Sequence, residues 1–166
     1  MIQIKYLNKS ILAVIFPLKE AEIPKAMLKK ILLFLCLIFL ESTAMAETLV
    51  IEIEKKVAGT LVLTENDAAK DFVKKLPLTL NFEDYGTTER IAYLKEPLSL
   101  GSSNQTSTPN RGDFSYYAPW GNIAVFRKDF RESEGLIYLG KLSEDALHAI
   151  ETSAKKPVTL RLKEGK

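Results

Sequence analysis

Short stretches of alternating apolar and polar residues run from about position 49 to the C-terminus, and a single unbroken apolar run precedes them. Residues 49–54 (Leu-Val-Ile-Glu-Ile-Glu) and 59–64 (Gly-Thr-Leu-Val-Leu-Thr) read as two strands with a hairpin turn over 55–58, because period-two alternation suits a half-buried sheet. Residues 64–67 (Thr-Glu-Asn-Asp) resemble a capping box, and Ala68, Ala69, Phe72, Val73 and Leu76 then recur at helical spacing until Pro77 stops them. Leu78, Leu80 and Phe82 alternate along the next strand, which residues 83–86 end. Further strands are predicted over 89–94, 113–118, 122–127, 136–142 and 157–162, and a short helix over 143–150 is capped by Ser143. Residues 99–110, rich in Ser, Thr, Asn and Gly, form a long surface loop. A tally of about eight strands and two short helices, without regular helical crossovers, favours a mainly β, closed barrel over an open parallel sheet.

The unbroken run lies upstream of these elements. Met27 is followed by Lys29 and Lys30, then by apolar residues 31–40, then by Glu-Ser-Thr-Ala-Met-Ala over 41–46. A basic start, about ten apolar residues and a small-residue ending are the parts of a secretory signal peptide, with cleavage after Ala46. An uncleaved anchor is the alternative, although a permanent span needs nearer to about twenty residues. A signal peptide begins near its initiator, so Met27 is the expected start and residues 1–26 an upstream extension. The mature protein is then residues 47–166, exported to the periplasm or secreted, touching a membrane only through the signal segment during export. A domain of about this size buries roughly two thirds of its unfolded surface, enough for a core without staples.

Charge and cysteine content narrow the chemistry. The formal net charge is +2, but residues 1–46 hold six Lys against three Glu, while residues 47–166 hold 17 Lys and Arg against 18 Asp and Glu. A domain near −1 lacks the basic surplus that phosphate neutralisation requires, so nucleic acid is not an expected partner. Residues 47–166 contain no Cys and one His, His148. A disulfide scaffold, a Cys-based zinc site, a Ser-His triad and a Cys nucleophile on its His base lose their parts. No metal and no cofactor are expected.

Several stretches resemble the cyclophilin-like proteins, and most closely the small bacterial cyclophilin-like domains of largely unknown function. They are Ala69-Lys-Asp-Phe72 with Leu76-Pro-Leu-Thr-Leu80, Glu83-Asp-Tyr85, the run from Gly112 to Asn122, Val125-Phe126, and the run from Gly135 to Leu142. The most specific piece is Tyr116-x-x-Pro-Trp-Gly-Asn122. The resemblance implies an eight-stranded closed barrel plugged by two helices. It is weaker for the active peptidyl-prolyl isomerases of that fold. Their Phe-His-Arg run has no counterpart after Leu78, their pocket His falls on Leu136, and the Gln of their Gly-Phe-Met-x-Gln segment is missing.

The densest aromatic and polar cluster is Tyr116, Tyr117, Trp120 and Asn122. Strand alternation points the two tyrosines to opposite faces, so at most one joins a given pocket. Trp120 would supply flat apolar area and Asn122 a donor and an acceptor; otherwise Pro119-Trp120-Gly121 is a packed corner. Arg90, at the start of a strand, is the candidate cation, with a salt bridge to Glu89 or Glu83 as its plainer role. Glu83 and Asp84 at a strand end read as solvated, and the tripeptide Arg111-Gly-Asp113 as a chance match. The expected function is a non-catalytic module that binds a peptide segment or small ligand through Arg90, Tyr117, Trp120, Asn122 and Phe126. The alternative is a divergent prolyl isomerase for exported proteins, with Arg90 as the catalytic donor and Phe126 and Tyr117 as pocket walls.

Overall fold

A computed structural model of the chain describes residues 46–164. The upstream extension and the signal segment up to residue 45 lie outside the described residues. Among those described, no helix is long and apolar enough to cross a membrane.

Eleven strands and two helices follow one another: β1 (Thr48–Ile53), β2 (Lys56–Leu63), α1 (Asp67–Val73), β3 (Leu78–Leu80), β4 (Glu83–Tyr85), β5 (Glu89–Tyr93), β6 (Thr106–Ser107), β7 (Asp113–Tyr117), β8 (Asn122–Phe126), β9 (Ser133–Glu134), β10 (Leu136–Leu142), α2 (Glu144–Thr152) and β11 (Val158–Leu162). Nine strands form one sheet in the order β3-β11-β1-β2-β10-β7-β8-β5-β4, and β6 pairs with β9 apart from it. All pairings are antiparallel.

The sheet is a strongly curled half-barrel, which corrects the expected closed barrel of eight strands. Its two edges, β3 and β4, are consecutive in the chain and joined only through Asn81 and Phe82. Each is three residues long and pairs on one side alone, β3 with β11 and β4 with β5. The strand expected over 78–82 thus stops at Leu80, and residues 83–85, expected only to end it, form the sheet's other edge. So short a connector brings the edges near each other without room for a ladder between them.

Local chemistry sets the other boundaries. The β1–β2 turn falls at Glu54 and Lys55, both at positive φ, rather than over 55–58. Positive φ at both central residues is the hairpin geometry that matches strand twist. Asn66, not Thr64, caps α1 by accepting from the Ala69 amide at 2.8 Å, and its Nδ2 donates to the Tyr138 carbonyl at 2.7 Å. Ser143 caps α2 as its position suggests, accepting from the Ala146 amide at 3.3 Å. Gly59, at φ +143°, lets that helix start rest on β2, because a Cβ there would lie 2.5 Å from the Ala146 nitrogen.

Both helices cover one face of the sheet. Phe72 of α1 meets Phe114 of β7 edge to face at 5.5 Å, and Leu147 and Ile150 of α2 join the same core with Leu49, Leu61 and Ile123. Each such side chain contributes about 2 kcal/mol on burial. The opposite face of β5, β8 and β10 carries a second, smaller cluster of Ile91, Ala124, Phe126 and Leu136, with Tyr117 packed against it. That second face is where the functional candidates gather.

Candidate functional site

The β7–β8 hairpin builds the centre of the site. Tyr117 pairs with Asn122, so residues 118–121 form the connection. The amide of Gly121 donates to the Tyr117 carbonyl at 3.0 Å, closing the turn. Gly135, at φ +75°, lies directly against the corner: a Cβ there would come within 2.8 Å of the Pro119 ring, and its carbonyl accepts from the Ala118 amide at 2.9 Å. The turn therefore projects Trp120 outward, where its side chain stays 48% exposed. Tyr85 of β4 and Tyr117 stand edge to face with it, at centroid distances of 5.4 and 5.5 Å and interplanar angles of 86° and 79°.

These rings border a cleft of about 470 Å³ on the sheet face away from the helices. Ile91, Phe126 and Leu136, all buried, form apolar walls continuous with the second core cluster. The segment after β8 forms the far wall. It is pinned by Arg127, whose amide donates to the Thr88 carbonyl and whose guanidinium donates to the Asp84 carboxylate, by the Phe130 amide on the Pro109 carbonyl, and by the β6–β9 pair. Phe130, Arg131, Glu132 and Glu134 of this segment line the cleft, with the Arg131 guanidinium 5.0 Å from the Phe130 ring centre.

Two polar groups distinguish the cleft from a plain apolar groove. Asn122 is 1% exposed; its Nδ2 donates to the Ile123 carbonyl at 3.1 Å, while its Oδ1 has no hydrogen-bond partner among the described residues. A buried, unpaired acceptor costs about 1–3 kcal/mol until something donates to it. Glu89 faces the same space from β5, and burial pushes its carboxyl above the ordinary carboxylate range.

The structure brings Tyr117, Trp120, Asn122 and Phe126 together on this cleft and leaves Arg90 out, so the candidate cation is corrected. Arg90 is 3% exposed on the other face of β5. Its Nη1 donates to the Ile150 carbonyl (2.7 Å), the Glu151 carbonyl (3.3 Å) and Ser153 Oγ (3.1 Å), and its Nη2 to the carbonyls of Phe82 (2.5 Å) and Ala154 (2.7 Å). Its Nε lies 3.4 Å from Asp84 Oδ1. The guanidinium thus caps the C-terminal carbonyls of α2, where the helix dipole favours a cation, and ties them to the connector between the two sheet edges. Desolvation lowers its pKa. Neither the solvated pair with Glu89 or Glu83 nor a free donor describes it.

Tyr116 points the other way from Tyr117, into the main core, where its hydroxyl accepts from the Leu98 amide. His148 is exposed on α2, and no group of three metal-ligating side chains occurs among the described residues. Asp113 of the Arg-Gly-Asp tripeptide is buried and paired with Lys141 at 2.7 Å.

Comparison with known proteins supplies the family. The family model described as "Cyclophilin-like family" matches residues 51–162, more than half of the chain. The chain belongs to the cyclophilin-like family. No curated protein matches it. Among solved structures it is similar to the solution structure of a hypothetical protein, AF2241, from Archaeoglobus fulgidus, at 13% identity and a TM-score of 0.55, over 74% of this chain and 99% of that one. That likeness concerns the fold alone. In this cyclophilin-like chain the residue expected to act as an isomerase donor is committed to five acceptors inside the fold, and no other described cation replaces it beside Trp120 except Arg131, which sits over Phe130.

Sequence reasoning missed Tyr85, Glu89 and the segment from Phe130 to Glu134 as parts of the site. The parity of β5 was a usable signal: if Ile91 packs beneath the cleft, Glu89 shares its face and Arg90 does not. Tyr85 and the far wall carry no such signal, because tertiary pairings bring them in.

Proposed function

We propose that this protein is an exported, non-catalytic binding module that holds a peptide segment or small ligand in the cleft beside Trp120. The observation that carries the reading is an indole left half-exposed at the mouth of a cleft of about 470 Å³, braced by two tyrosines above a buried, unpaired Asn122 acceptor. Small-ligand sites are concave and mostly apolar, of roughly 300–1,000 Å³, with a few fixed polar groups. Export rests on the basic, apolar and small-residue succession over 27–46, and a mature species beginning at Glu47 by mass spectrometry is its test.

Trp120 is the sole tryptophan, so its emission reports the cleft directly. Peptide and metabolite libraries are screened against the intact chain by Trp emission and melting temperature. A ligand that moves both supports the reading, and a library-wide flat response overturns it. A prolyl-peptide isomerisation assay run beside the screen is expected to show no catalysis.

A further inference from the structure

The charge around the cleft is uneven. Glu89, Glu132 and Glu134 line it against one basic group, Arg131. None of the three carboxylates has an ion-pair or side-chain hydrogen-bond partner among the described residues; the ten ion pairs found there all involve other acids. Tyr85, Tyr117, Trp120, Phe126 and Phe130 line the same cleft. The rings of Tyr85 and Tyr117 each meet Trp120 edge to face rather than stacked, and all three border the cleft. Ring faces carry negative quadrupole potential and attract cations within about 6 Å.

The Asn122 acceptor adds an independent requirement. One of its two Nδ2 hydrogens is spent on the Ile123 carbonyl while Oδ1 has no partner among the described residues, so the group a visitor would relieve is the unpaired acceptor. A neutral hydrocarbon would leave it unpaired, and an anion would bring a second acceptor against it and against three carboxylates. A head group that is positive, flat or compact enough to meet the rings, and furnished with N–H donors answers every feature at once.

Resting on the binding reading above, we propose that the cleft recognises an N–H-bearing organic cation, an alkylammonium or guanidinium head, between the aromatic cluster around Trp120 and Glu89, with Asn122 Oδ1 accepting one of its hydrogens. The burial that penalises an ionised Glu89 in the empty cleft is offset when a cation lies beside it. A quaternary ammonium satisfies the rings but offers nothing to Asn122, so the head carries hydrogens. The same head occurs on free amines and on Lys or Arg side chains, and the test separates these sources.

The intact chain is titrated by calorimetry and Trp120 emission with n-butylammonium, n-butyltrimethylammonium, n-butanol and butyrate. N-acetyl-Gly-Lys-Gly-amide and its norleucine analogue form the peptide arm. n-Butylammonium is expected to bind about tenfold more tightly than n-butanol, the order of one desolvated cation–π or charge-assisted contact, and butyrate more weakly still. Glu89→Gln is expected to remove about that tenfold preference. Asn122→Ser, which shortens the acceptor, serves as a second variant and is expected to narrow the gap between the primary and the quaternary ammonium. Tighter binding of the lysine peptide than of the free amine assigns the head to a peptide side chain, and the reverse to a free amine. Equal binding of n-butanol or butyrate overturns the cation assignment while leaving a ligand cleft in place. Preference for the quaternary probe overturns the N–H requirement. Silence from every probe overturns the inference, and the library screen then decides the broader reading separately.

Discussion

Glu89 and Arg90 are adjacent on β5, yet they belong to regions of opposite character. Arg90 points to the helix-covered side, where both Nη atoms are spent in five hydrogen bonds to α2, the residues after it and the edge connector, and Nε is buried 3.4 Å from Asp84 Oδ1, out of a ligand's reach. Glu89 points to the cleft, partly buried and unpaired. The first region pairs both Nη atoms of its buried guanidinium and leaves Nε alone without a hydrogen bond; the second keeps a carboxylate, an amide oxygen and a half-exposed indole in reserve. Satisfied groups hold folds together, and unsatisfied groups held in place by a rigid scaffold are where a partner gains most. A large flexible cation in a sequence therefore says little about a site until its hydrogen bonds have been counted.

The contrast can be broken most severely at Arg90. Arg90→Ala leaves the Phe82 carbonyl without the donor that reaches it and strips the guanidinium from the carbonyls of Ile150, Glu151 and Ala154, so it is expected to destabilise the fold by about 3 kcal/mol, measured by chemical denaturation. A loss below about 1 kcal/mol would show that water replaces the guanidinium and that the helix-side face is less committed than its geometry implies.

Trp120→Ala sharpens the same contrast from the other side. The indole is half exposed and its stability contribution comes from two edge contacts, so a change of about 1 kcal/mol or less is expected, with binding lost by calorimetry. If stability drops as far as in Arg90→Ala, the corner is a structural element and the cleft reading fails with it.

The smallest effect is expected from the pH dependence of Glu89→Gln. The folded pKa of Glu89 is raised, so its favourable contribution is fully present below the unfolded value of about 4.3 and is lost as pH rises through the folded one. Removing the ionisable group should therefore make the variant slightly more stable than the parent at neutral pH, with the difference vanishing in acid. Tyr85 on β4, Tyr117 on β7 and Arg131, Glu132 and Glu134 on the far wall are the other titratable or charged groups lining this cleft. Melting curves of the two proteins across pH 3–8 check it, and a difference that grows toward low pH would reverse the assigned sign.

Much of the fold was legible along the chain. Alternation located β1, β7, β8, β10 and β11 to within a residue and placed the start of β2 three residues late, and Ser143 marked the start of α2. Strand parity also separated Tyr116 from Tyr117 correctly, one in the core and one on the cleft. What could not be read was pairing. Residues 78–82 alternate like one strand that residues 83–86 end, but the strand stops at Leu80 and residues 83–85 form β4 at the opposite end of the sheet, because their ladder partners, β11 and β5, lie far apart in sequence.

Local patterning thus determined where most of the chain is extended, where it is helical, that Ser143 caps the second helix and which aromatic corner carries Trp120. Those properties follow from interactions among residues a few positions apart. Only the tertiary structure decided that the sheet stays open, that Arg90 closes over the end of a helix, and that Glu89, Tyr85 and a segment near residue 130 meet Trp120 around one cleft. Such contacts depend on which strands lie side by side, and strand pairing is set by the burial and hydrogen bonding of the whole sheet together.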